Sequence, residues 1–163
     1  GLPEKDDGDI YYGALGRYID CTTSGDDFGT QTGSFMSNAM FDEFIRPCLK
    51  ERIAYTKCYT DAFYKHHTCG SVYTFIPAMI DCDVDILNPV QPGVYQMECE
   101  RLKADFGDRL AFWGGLDTQH LLPGGASRMS GMPWGISSRL WIAAAAIFYL
   151  QCIRFSTMSP PGT

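Results

Sequence analysis

The sequence predicts an α/β fold made of parallel β/α units. Three observations lead there. Short strand-like runs alternate with helical runs between Tyr11 and Gln119, each strand-like run gives way to a polar loop, and the longest helical run repeats apolar residues every three or four positions. In such units the residues just after each strand share one face, and chemistry sits there.

The elements follow in order. Tyr18 to Thr22 ("YIDCT") reads as the first strand and ends in the loop "GDDFGTQ" at 25–31. Ser37 to Tyr59 reads as a long helical segment, with Ser37 as N-cap and Phe41, Phe44, Ile45, Leu49 and Ile53 on its apolar side. Pro47 lacks an N–H and should kink this segment or start its second half. Ala62 to His66 reads as the second strand and Thr74 to Ile80 as the next helix. Val84 to Leu87 is the third strand, ending in Asn88-Pro89. Glu98 to Phe106 is a short helix stopped by Gly107. Leu110 to Trp113 is the fourth strand, and it runs into "GGLDTQ" at 114–119.

Composition narrows the function. A chain of 163 residues with 45% apolar residues is one domain with a real core. Its net charge of -6 argues against a nucleic-acid groove, which needs clustered Lys and Arg. The apolar run Leu140 to Leu150 is too short to span a bilayer, so no membrane partner is expected. Gly1 to Asp9 is polar and acidic, unlike a signal peptide, and the missing initiator Met reads as a cut start. The seven cysteines, Cys21, Cys48, Cys58, Cys69, Cys82, Cys99 and Cys152, are odd in number and irregular in spacing. They read as reduced thiols of a cytoplasmic protein, most of them buried as small apolar residues.

The four strand ends collect Asp26, Asp27 and Gln31; His67 and Cys69; Asn88 and Gln91; and Asp117 and Gln119. Four polar clusters at equivalent positions read as one active-site face. Within them, "YKHHTCG" at 64–70 raises a metal question. On an extended segment residues i and i+2 point to the same side, so His67 and Cys69 can converge on one ion at about 2.0 and 2.3 Å. Gly70 lets the backbone turn behind them. Two ligands are not a site, because catalytic zinc takes three from the protein, and an ordinary surface loop stays open as the other reading. His66 should face the opposite side and pack or hydrogen-bond there.

From Ile19 to Pro123 the chain resembles the C-terminal half of the uroporphyrinogen decarboxylase superfamily. The pieces that carry the resemblance are "GDDFGTQ" (25–31), "HHTCGSV" (66–72), "VDILNPVQP" (84–92) and "ERLKADFGDRLAFWGGLDTQHLLPGG" (100–125), in order and at matching spacing. The resemblance implies a partial (β/α)8 TIM barrel, roughly its C-terminal four β/α units, with the site at the C-terminal strand ends. Two chemistries occur in that family. One is metal-free decarboxylation of uroporphyrinogen in haem and porphyrin biosynthesis. The other is zinc-dependent methyl transfer between a corrinoid and a thiol. The HxCG segment resembles the second branch, which makes His67 and Cys69 the implied zinc ligands beside a distant Cys. Asp26, Asp27 and Asp117 are then the implied catalytic carboxylates, and Gln31, Asn88, Gln91 and Gln119 the substrate-binding groups. A small-molecule or tetrapyrrole substrate and a corrinoid protein are the implied partners. A true decarboxylase would need no cofactor.

Departures from the family shape the remaining expectations. A full barrel takes about 250 residues, so half is missing and the open strand edges invite self-association. Asp83 stands where the family usually has a helix-stopping Gly, and it adopts a left-handed backbone less easily. Residues 1–125 form the half barrel, and 126–163 form an atypical tail in which Ile142 to Leu150 reads as a buried helix. The family's glycine-rich strand is replaced there by "AAAAIFYLQCIRF", which a shift of reading frame near Gly125 would explain and which disrupts the last unit. On that reading Cys152 is no zinc ligand, and an inactive truncated remnant is a third functional reading.

Overall fold

The computed structural model describes residues 5–115. Asp117, Gln119, Cys152, the 126–163 tail and its expected helix lie outside the described residues. Four strands form one parallel sheet in chain order: β1 (Cys21–Gly25), β2 (Phe63–His67), β3 (Ile86–Val90) and β4 (Ala111–Gly114). Neighbouring parallel strands require a crossover between them, and helical segments supply each one, as expected for β/α units of a barrel.

Three elements differ from expectation. The described residues begin with α1 (Lys5–Leu15), which the sequence does not predict, and continue into a 3-10 turn, Gly16–Tyr18. That turn occupies the start of the expected first strand. It is pinned there because Thr60 Oγ1 donates to Gly16 O at 2.7 Å, and a Cβ on Gly16 would sit 2.5 Å from Tyr59 O. Pairing begins only at Cys21, opposite Phe63, so β1 is the polar run "CTTSG". β3 runs on through Asn88 and the cis Asn88-Pro89 bond to Val90 rather than ending at Leu87. Its register with β4 shifts between Leu87 and Val90, where Pro89 has no N–H to offer the ladder.

The long helical segment is continuous and has three parts: α2 (Asn38–Met40), a π-helical turn (Phe41–Ile45) and α3 (Arg46–Lys57). Ser37 caps it as expected, accepting from Met40 N–H at 3.2 Å. The widened turn precedes Pro47, whose ring would otherwise press on the carbonyl one turn back. After β2 come a 3-10 turn, Tyr73–Phe75, and α4 (Ile76–Ile80), and after β3 comes α5 (Cys99–Phe106). Asp83 does take the left-handed conformation, at φ 66°.

The core lies between the sheet and these helices. Phe28, Phe41 and Phe75 form an aromatic cluster, Phe41 stacked on Phe75 with centroids 4.4 Å apart and Phe28 edge-on to Phe41. Tyr64, Leu87 and Phe112 meet it from the strands, and Leu49, Ile53, Met79 and Leu102 from the helices. The other sheet face carries Phe63, Lys65, His67, Asn88 and Trp113, none of them fully buried. The cysteines depart from the burial expectation. Cys21, Cys48 and Cys58 are exposed, Cys69 and Cys99 half-buried and Cys82 buried. No helix among the described residues is long and apolar enough to cross a membrane.

Candidate metal centre

Strand register puts Gly25 and His67, the last residues of β1 and β2, side by side with Asn88, midway along β3. The β1 loop then crosses the β2 loop. Asp26 N–H donates to His67 O at 3.0 Å, Phe28 N–H to Thr68 Oγ1 at 3.1 Å, and Ser71 N–H to Thr30 O at 2.8 Å. The approach is close enough to demand two glycines. A Cβ on Gly29 would lie 2.5 Å from Ser71 N, and one on Gly70 would lie 2.4 Å from Gly29 C. Gly70 also needs its φ of 81°, which a side chain disfavours. Its N–H is taken by Gln91 Oε1 at 2.8 Å, and Thr68 N–H by Asn88 O at 2.7 Å.

This crossing brings Asp27 to His67 and Cys69. One ligand-type atom from each of the three lies within 4.8 Å of the others. Cys69 Sγ is 3.6 Å from His67 Nε2, and Asp27 Oδ1 is 3.9 Å from the same nitrogen. Ligand atoms at the corners of a zinc tetrahedron are about 3.3–3.8 Å apart, given ordinary zinc bond lengths. The donor set of imidazole, thiolate and carboxylate suits zinc, so the residues present fit the implied ion.

Asn88 orients the imidazole. Its Nδ2 donates to Trp113 O at 3.3 Å, which turns its Oδ1 toward His67. His67 Nδ1–H then donates to that oxygen at 2.9 Å, and Nε2 is left as the acceptor nitrogen facing the Cys69 thiol. A metal-binding histidine is commonly held this way. Cys69 N–H donates to Asp27 Oδ1 at 2.8 Å, and this bond is the main reason the Asp27 carboxyl sits below its usual range. Burial, and then Asp27 beside it, push the Cys69 thiol up. The carboxyl is therefore held in its ionised form and the thiol in its protonated form.

His66 faces away, as expected from strand alternation. It is fully buried, stacks on Phe28 at 5.7 Å, and is hydrogen-bonded through Nδ1 to Ser24 Oγ at 3.1 Å. Burial drives its pKa down to about 4, so the ring is neutral.

The remaining candidates divide. Asp26 borders the same cavity as Asp27, His67 and Asn88, a space of about 470 Å³, but its carboxylate turns to Arg52 at 3.5 Å. Gln31 is exposed and contributes only its carbonyl, to Tyr95 N–H at 3.2 Å. Gln91 supports the Gly70 turn. Asp27, expected as a catalytic carboxylate, stands instead where it could complete a donor set with His67 and Cys69; the sequence signal for this is its place directly after a strand, opposite the HxC loop.

The family described as uroporphyrinogen decarboxylase (URO-D) matches residues 21–131. Searches among curated proteins and among solved structures gave no significant match. With more than half of its 163 residues matched, the chain belongs to the uroporphyrinogen decarboxylase family.

Proposed function

We propose that this chain carries the zinc-binding, thiol-activating part of a corrinoid methyltransferase-like member of the family, rather than a metal-free decarboxylase site. One observation carries the reading: Asp27, His67 and Cys69 converge within 4.8 Å from two different loops. A decarboxylase that used no metal would gain nothing from gathering a thiol, an imidazole lone pair and a carboxylate. Zinc bound there would supply a Lewis acid that lets a substrate thiol lose its proton near neutral pH. The overall reaction would replace the thiol's S–H with S–CH3, the proton leaving to solvent and the methyl group coming from a corrinoid that keeps the electron pair of the broken carbon–metal bond.

The chain's own residues prepare this. Asn88 fixes the His67 tautomer. The Cys69 N–H holds Asp27 as carboxylate. Gln91 and the Gly29–Gly70 crossing keep the two loops in register. The cavity beside them leaves room for a small substrate.

Metal analysis of the full chain tests the proposal. Zinc should bind at one ion per chain and be lost in Cys69→Ser, while a serine variant of the exposed Cys48 keeps it. A wild-type chain that retains no zinc after exposure to it would return the reading to metal-free decarboxylation.

A further inference from the structure

Lys65 is a cation on the cavity wall that the proposed chemistry does not use. It lies two residues before His67 on the same strand, hence on the same face, with its Cα about 6.6 Å from that of His67. It borders the cavity together with Thr23, Asp27, His67 and Asn88. Its ammonium lies over the Trp113 ring at 4.7 Å from the centroid. No carboxylate among the described residues is within ion-pair distance of it. The two carboxylates among the described residues that border the cavity are engaged elsewhere, Asp26 with Arg52 and Asp27 with the Cys69 N–H. A half-buried lysine held by a ring face beside a cavity, with no carboxylate among the described residues to pair it, is arranged to receive an anion.

We infer that Lys65 is the anion anchor of this cavity, holding the carboxylate, sulfonate or phosphate of a small acidic substrate, with Trp113 keeping the ammonium in place. That the other end of the substrate reacts at His67 and Cys69 rests on the function proposed above; the anion contact does not.

Trp113 reports on the contact, because an anion that draws the ammonium off the ring changes its fluorescence. The difference signal between the full chain and Trp113→Phe would be titrated with propionate, methanesulfonate and inorganic phosphate, with chloride as the ionic-strength control. At least one of the three should give a saturable change that chloride does not, and the strongest identifies the source of the anion. Lys65→Met should weaken that binding about tenfold, the size expected for one charge-assisted contact. Lys65→Gln serves as a second variant should the methionine disturb the fold. Cys69→Ser should leave the anion response intact while losing zinc, so the anchor and the metal reading fail separately. Titration of both Lys65 variants like wild type would overturn the anchor, and so would a response that chloride reproduces or no saturable response to any of the three anions.

Discussion

His66 and His67 are neighbours in the chain, yet the two faces of one sheet give them opposite chemistry. On the helix face, His66 is sealed among Phe28 and Ser24, loses its solvation, and is held neutral. On the open face, His67 is fixed by Asn88 with its second nitrogen aimed at Cys69 and Asp27. The difference lies in the side of the pleat each ring occupies. A one-residue slip of β2 would exchange them, placing an unbonded imidazole under the helices and a stacked one at the rim. The same alternation separates Tyr64, which is core, from Lys65, which faces the cavity.

The largest expected effect comes from the crossing that fixes which face reaches the rim. Gly70→Ala meets Gly29 backbone and a disfavoured φ together, and should lower stability by about 4 kcal/mol in urea unfolding. Gly93→Ala shares the positive φ of 85° but has open space around it, and should cost only about 1 kcal/mol. Equal losses would mean that the loop crossing contributes nothing beyond backbone conformation.

Next in size is the acid response of the sealed face. The unfolded chain protonates His66 near its ordinary pKa of 6.5, the folded chain only near 4. Between these values the unfolded state binds more protons, so stability falls as pH falls, by roughly 3 kcal/mol across the window. Urea midpoints measured against pH should show this slope in wild type and in His67→Ala, and lose it in His66→Leu. A slope that follows His67 would reverse the assignment of faces.

The smallest effect concerns the open face. Asn88→Ala leaves the strands paired but releases the His67 tautomer, and zinc affinity measured by chelator competition should fall about tenfold. Unchanged affinity would show that the imidazole needs no partner here.

The alternation of elements was legible because apolar spacing and polar loop composition mark helices and strand ends directly. β1 was misplaced for a physical reason. "CTTSG" has no apolar alternation, while "YIDCT" upstream does, and only the pinning of Gly16 against Tyr59 and Thr60 puts the strand at the later position. His67 and Cys69 were legible from strand periodicity. Asp27 as their companion was not, because its approach depends on two loops from separate units crossing at glycines. Lys65 was invisible for a similar reason: its significance lies in its seat over the Trp113 ring at the cavity wall, which spacing alone does not reveal.

The crossing at Gly29 and Gly70 has a consequence for anyone who would transplant this centre. The two loops touch backbone to backbone, so "HHTCG" grafted alone onto a foreign parallel sheet would carry a histidine and a cysteine but neither the carboxylate nor the surface that seats them. The portable unit is the pair of neighbouring strands with both loops. A scaffold would have to accept both at once, or the graft would arrive as an unremarkable turn.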